Sequence, residues 1–289
     1  MRLSLLALVL AASAASAQPE WRTHPARPSV SLDALYAVGD DDLVATDDQG
    51  NLVGTVDAVS SVLLLSGRVP VGARWGVRAE VPLAYTRFSG PNGLGGVLDE
   101  SDTAIGNPYV GVEASVGRSV VLGAGVRVPL FNDVAESEGF GWQGGLGADF
   151  ERFEAYVPDL LTVSASAVYA RALGPAVRLR GRLTPAVVAD VSGAENANGP
   201  GTTDVVVGYG LQAEADVRAV ALRGGVVGRQ FLTGRRFEAF ETTATVVAGA
   251  TVEVVGIRPG LLVRVPLDRD RFYLDPDATV GLTLDVPLR

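Results

Sequence analysis

From Val30 to Leu288 the hydrophobic positions recur with a period of two, the spacing of a β-strand, rather than the 3.6 of a helix. Over residues 204–217, Val205, Val207, Tyr209, Leu211, Ala213, Ala215 and Val217 share one face, while Asp204, Val206, Gly208, Gly210, Gln212, Glu214 and Asp216 share the other. Val177, Leu179, Gly181 and Leu183 likewise oppose Arg178, Arg180, Arg182 and Thr184. Similar alternation marks 120–130, 161–169, 244–254, 257–267 and 280–288. Many of these runs reach about ten residues, where strands of globular proteins average about five or six. Ten is roughly what a tilted strand needs to cross a bilayer. A soluble β-sandwich also alternates, but it turns every eight to twelve residues or so. Here the turns fall further apart and the apolar face continues along the whole strand. The pattern predicts an all-β fold: a single up-and-down antiparallel transmembrane β-barrel.

The links between strands give an independent reading. Strands predicted at 29–38, 52–68, 74–88, 104–116, 120–131, 160–172, 176–190, 203–217, 219–232, 241–254, 257–267 and 278–288 number twelve. Links after even-numbered strands are short (Pro70-Val71, Gly117-Arg118-Ser119, Gly174-Pro175, Arg218-Ala219, Val255-Gly256), and those after odd-numbered strands are longer. Bacterial barrels pair short periplasmic turns with long extracellular loops in this way, which leaves both termini in the periplasm. Residues 141–154 (GWQGGLGADFERFE) also read as a strand, and admitting it alone breaks the parity. We therefore expect 132–159 to be an extracellular excursion with its own β structure. Twelve strands is the expectation, within a range of ten to fourteen.

Charge sets which face is inside. An arginine on the lipid face near mid-membrane costs about 2–4 kcal/mol, so three in succession must face inward. The same argument predicts a lumen lined by Arg78, Glu80, Glu113, Arg127, Arg178, Arg180, Arg182, Glu214, Asp216, Arg223, Glu253, Arg258 and Arg264, with Asp285 beside them. A two-residue turn at Arg218-Ala219 sets Glu214 opposite Arg223. A loop centred near Ala197 sets Arg178, Arg180 and Arg182 opposite Asp216, Glu214 and Gln212. Across Val255-Gly256, Glu253 faces Arg258. Such charges line a conduit or binding cavity, or they fill a narrow interior that conducts nothing.

Composition narrows the function. The chain has 289 residues, a formal charge of −9, no cysteine and no lysine, so all 24 basic residues are arginine. Excess acid argues against a nucleic-acid partner, whose phosphates need positive charge. The absence of cysteine removes thiol catalysis and disulfide scaffolds. Arg2, the apolar run from Leu3 to Ala12 and the small residues Ala15-Ser16-Ala17 predict a signal peptide at 1–17, followed by a tail at 18–28 and the barrel at 29–289. The address is the bacterial outer membrane, with its lipid as the surrounding partner. Acids crowd the expected outer loops (Asp40–Asp42, Asp47-Asp48, Asp99-Glu100, Asp268, Asp270, Asp275, Asp277) without the spacing of a calcium loop. No metal site or cofactor is expected. The sole histidine, His24, lies in the tail, so the barrel has no histidine base and no catalytic residue is assigned. Tyr85, Phe88, Phe131 and Phe231, with Phe237, Phe240, Phe272 and Tyr273 beyond them and Trp75 at the opposite end, suit interfacial girdles. Val-Pro-Leu recurs at 81–83, 128–130, 265–267 and 286–288, and reads as a strand-end device because proline removes a ladder donor.

The stretch Asp102-Thr103-Ala104-Ile105-Gly106-Asn107-Pro108-Tyr109-Val110-Gly111-Val112-Glu113 resembles the Asp-x-Gly-Leu-Gly-Asp-x-x-x-Gly strand of the outer-membrane transporters linked to meta-pathway phenol degradation. The hairpin ending in Arg127-Val128-Pro129-Leu130 resembles that family's glycine-rich strand and proline. The likeness spans about residues 52–190; Ala104 replaces the first glycine, and the chain ends Pro287-Leu288-Arg289 rather than on an aromatic. The resemblance implies a channel or transporter for small molecules, hydrophobic or aromatic ones among them. The alternative is a non-conducting structural barrel whose acidic extracellular loops bind a partner.

Overall fold

The computed structural model describes residues 28–39, 43–46, 52–91, 97–130, 140–192, 203–233, 242–267 and 276–288. The expected signal peptide, His24, Asp40–Asp42, Asp47-Asp48, Asp268, Asp270, Asp275, Phe131, Phe237, Phe240, Phe272 and Tyr273 lie outside the described residues.

The strands are β1 (Ser29–Val38), β2 (Leu43–Thr46), β3 (Leu52–Val71), β4 (Trp75–Pro91), β5 (Val97–Ile105), β6 (Tyr109–Val116), β7 (Val120–Arg127), β8 (Leu160–Ala172), β9 (Val177–Asp190), β10 (Thr203–Val217), β11 (Val220–Phe231), β12 (Thr242–Val252), β13 (Arg258–Pro266) and β14 (Ala278–Pro287). Neighbours pair antiparallel, and β1 pairs with both β3 and β14, Ser29 lying opposite Pro287 and Val38 opposite Ala278. That last ladder closes the sheet and removes its edge. β5 and β6 both pair with β4 and make one stave, while β2 pairs only with β3 beyond the rim. The result is a closed antiparallel barrel of twelve staves.

The stave predicted at 104–116 is broken, and proline is the reason. β4 pairs with β6 up to Glu80–Tyr109 and with β5 from Leu83–Ile105. Pro82 sits in the gap with no N–H to donate. Two residues, Val81 and Pro82, therefore oppose three, Gly106-Asn107-Pro108, as in a β-bulge. The Val-Pro-Leu unit at 81–83 thus marks a bend in mid-stave, because β4 continues to Pro91.

The described part of the excursion expected at 132–159, from Phe140 onward, is neither outside the barrel nor β. It enters the barrel as helix α1 (Gly141–Asp149) and a 3-10 turn at Phe150–Ala155. Helix α1 is buried except at Trp142 and Gln143, so it carries no amphipathic stripe. Its glycines permit the fit: a Cβ on Gly144 would lie 2.1 Å from the Tyr85 carbonyl oxygen, and one on Gly145 2.0 Å from the Tyr156 ring.

The segment divides the interior into two storeys. Around it the inward side chains are apolar: Leu35, Ala37, Val62, Ala84, Val227, Val247 and Leu262 surround Ala148, Ala155 and Tyr156. Leu146, Phe150, Phe153 and Val157 pack on Leu160, Val188, Val206 and Phe231, with Trp142 against them. Phe231 is therefore not a girdle residue; its ring lies 5.4 Å from that of Phe153. Phe88 likewise meets Phe140, at 5.0 Å between centroids, where the segment enters. Toward the short turns the same strands carry Ser31, Ser66, Arg68, Arg78, Glu80, Gln212 and Glu214. The outer surface is greasy, with Leu32, Leu65, Val110, Leu183, Leu211, Leu222, Val263 and Leu282 exposed around the barrel. Trp75 stands exposed at the short-turn end.

Gly144→Val should expel the segment without opening the barrel, since its branched side chain meets backbone rather than a movable tip. We expect residues 141–155 to become sensitive to limited proteolysis while resistance of the barrel to heat in detergent persists.

Candidate functional site

Asn107, thrown out of the ladder by the Pro82 bulge, holds the inward segment. Its backbone N–H donates to the Ala155 carbonyl at 2.6 Å, and its side-chain amide donates to the carbonyls of Glu154 (3.0 Å) and Val157 (2.8 Å). A carboxylate oxygen of Asp102 accepts from Gly141 N–H at 2.8 Å, where the helix N-terminus favours an anion. The phrase that carries the family likeness is therefore, in this chain, the clasp of the inward segment. Gly106 lies in the same clasp, because a Cβ there would meet the Ala155 carbonyl at 2.1 Å.

Ion pairs fasten the segment to the far wall. Asp149 bridges Arg152 and Arg264, the latter at 2.5 Å. Arg229 pairs with Glu154 at 2.9 Å and lies over the Phe153 ring, and Thr245 donates to Glu151 at 2.9 Å. Asp149, Arg152 and Arg264 are almost wholly buried, so each charge depends on the others for the solvation it has lost. Tyr156, beside Asp149, is fully buried, and burial pushes its hydroxyl well above the usual phenol range, so it stays neutral. Charge-by-strand reasoning missed Asp149, Glu151, Arg152 and Glu154, since it placed them in an outer loop. Arg229 shares the parity of Arg223 on β11 and was legible on that ground.

Beneath the segment the sequence-derived residues gather into two clusters. Glu214 accepts from Arg178 at 2.8 Å, lies 3.2 Å from Arg180 and is paired with Arg223 at 2.6 Å. Glu214 stands opposite Arg223 across the Arg218-Ala219 turn, where the expected register holds. The register of β9 on β10 differs by two residues: Arg178, Arg180 and Arg182 face Glu214, Gln212 and Gly210. A shift of two keeps every side chain on its face, so alternation does not resolve it, and the connection between Asp190 and Thr203 is too long to dictate it. The second cluster joins Glu80 to Arg78 and to Arg127 (2.9 Å), and Glu113 to Arg68 (2.5 Å). Arg264, on β13, stands apart from both and pairs with Asp149 of the inward segment. Asp216, Glu253 and Arg258 are exposed at the short-turn end; Glu253 and Arg258 pair across their turn at 3.2 Å.

Between the second cluster and β8–β9 lies a polar cavity of about 70 Å³. Arg78, Tyr109 and Arg127 line it with Thr162, Arg182 and Thr184, Thr162 standing next to Arg127 in the β7–β8 ladder, and Glu154 and Arg229 belong to it as well. Both Arg78 and Arg127 lie over the Tyr109 ring, at 5.4 and 5.5 Å from its centroid. The ring rests on bare backbone, because a Cβ on Gly111 or Gly125 would meet its hydroxyl at 2.3 Å.

Glu214→Gln should remove the charge that serves three arginines. Loss of one partner of a buried pair costs about 3–5 kcal/mol; we expect a lowered unfolding temperature in detergent, read by the heat-dependent gel mobility typical of barrels.

No family model matches the chain, and no curated protein matches it by sequence. Solved structures do match its architecture. An outer membrane channel from Pseudomonas putida F1 superposes with a TM-score of 0.59 at 13% identity, over 95% of this chain and 100% of that one. The NanC porin does so at 0.51 with 8% identity, over 90% and 99%. A mutant of the TodX monoaromatic hydrocarbon channel gives 0.51 with 10% identity, over 92% and 91%. At such identities the likeness is one of fold: this chain is built as those β-barrels are.

Proposed function

We propose that the protein is an outer-membrane channel or transporter for small molecules, held closed by residues 140–157 folded into its upper storey. The greasy exterior and paired interior charges suit a bilayer. The N-terminal signal at 1–17 would supply export, and the short turns would face the periplasm. The observation that carries the reading is the polar cavity under a segment that is clasped rather than continuous with the wall. A barrel that served only as a shell would need no polar space lined by Arg78, Arg127, Arg182, Thr162 and Thr184.

The thirteen charged positions read from the sequence divide under this proposal. Arg78, Glu80, Glu113, Arg127 and Arg182 line the path; Arg178, Arg180, Glu214 and Arg223 stiffen the wall below it; Arg264 fastens the closure; Asp216, Glu253 and Arg258 form the periplasmic rim. The hydrocarbon named for TodX would meet this polar lining unfavourably unless it carried a polar group. The non-conducting alternative rests on the same inward segment, which fills the upper storey in the described state.

Planar-bilayer recording separates the two. Asn107→Ala combined with Asp149→Asn strips the clasp and leaves Arg152 and Arg264 without their shared carboxylate. A cost of about 3–5 kcal/mol moves the docked equilibrium by a factor of about 10²–10⁴. We expect the wild-type protein to be nearly silent and the double variant to conduct in sustained openings. Silence of both would leave the structural barrel as the function.

A further inference from the structure

We propose that the interior cavity is a binding site for a short-chain carboxylate, with its anionic head between the arginines and its alkyl end on the apolar part of the lining. The inference rests on the channel reading for its biological use but not for its geometry.

Charge is the first argument. Every carboxylate lining the cavity already has an arginine partner: Glu80 has Arg78 and Arg127, Glu154 has Arg229, and Glu113 has Arg68 from just outside the lining. Counting Arg182, the lining holds four arginines (Arg78, Arg127, Arg182 and Arg229) against three glutamates, a local excess of one positive charge in a chain whose net charge is −9. A guanidinium fork matches a carboxylate in two hydrogen bonds, and its pull is strengthened where water is scarce.

The hydroxyls are the second argument. Thr162 is 3% exposed, yet its Oγ1 has no hydrogen-bond partner among the described residues, and the same holds for the buried Oγ1 of Thr184. Both side chains line the cavity, and Thr162 stands beside Arg127 as its partner in the β7–β8 ladder. A buried hydroxyl without a partner costs free energy, and here two of them point to a group that is present when the site is occupied. A water column could serve them, but it would not answer the charge excess.

Size and polarity select within anions. At about 10–15 Å³ of such space per water, 70 Å³ holds roughly five to seven water-sized groups. Val121, Val168 and Ala186 contribute an apolar part to the same lining. An inorganic anion of equal charge leaves that part uncovered, whereas a carboxylate with a short tail, about five heavy atoms in all, covers it.

The test uses the refolded full-length protein in detergent and sodium propionate as probe, with sodium chloride and sodium sulfate at equal ionic strength as controls. A ligand that binds only the folded state raises the unfolding temperature in a saturable way. At tenfold its Kd, propionate should raise it by about 3 °C, and the rise should vanish in Arg182→Gln and shrink in Thr162→Val, which keeps the side-chain volume. No rise in the wild-type protein, an equal rise with chloride or sulfate, or an undiminished rise in both variants overturns the proposal. In the unclasped Asn107→Ala, Asp149→Asn channel, a propionate gradient should give a reversal potential of anion-selective sign, and cation selectivity would overturn it. Propionate stabilisation in a protein that never conducts would sustain the site while sinking the channel reading.

Discussion

Arginine cannot be left alone inside a barrel, and the rest of this structure follows from how each one is matched. The stem of a lumen arginine packs on the wall while its head seeks a carboxylate on a neighbouring strand, so faces must hold along every strand. Glu214 serves three guanidinium groups from β9 and β11, and Glu80 serves two from β4 and β7. Those clusters set the interior of the lower storey. Above them the walls turn apolar, and a closed ring of twelve staves has more room than its own small side chains occupy. The inward segment takes that space and brings its own acids to the two arginines, Arg229 and Arg264, that the upper wall supplies.

Much of this was legible from the chain. Period-two alternation over long runs, and links alternating between short and long, were enough to place nearly all the staves within a few residues. The short hairpins even yielded register, because a two-residue turn leaves no freedom. At Val255-Gly256 both turn residues adopt positive φ, 49° and 80°, as a tight hairpin of this kind requires. Long connections carried no such information, and the β9–β10 ladder shows it in a displacement invisible to any argument from faces.

The inward segment was hidden for a different reason. Residues 141–149 have glycine where a helix prefers alanine, and burial of all but Trp142 and Gln143 erases the stripe by which a helix announces itself. Its signal was negative: a glycine-dense run that breaks strand parity belongs where backbone must approach backbone. The cavity was half-visible. Its arginines followed from the cost of charge in lipid, but Thr162, Thr184 and Tyr109 look like ordinary strand residues until β6, β8 and β9 are brought around one space.

The far-wall contacts of the inward segment have an entropic corollary. Asp149 precedes its partner Arg264 by 115 positions, and Glu154 precedes Arg229 by 75. The segment therefore follows its clasp at Asp102 and Asn107 in the chain but precedes the strands that supply its far-wall contacts. Those far-wall contacts require β11, β12 and β13 to stand beside it, whereas the clasp requires only the stave of Asp102 and Asn107. Seating is thus a long-range event, with loops of 115 and 75 positions closed by its two far-wall ion pairs, and such closure is entropically costlier than that of the neighbouring hairpins.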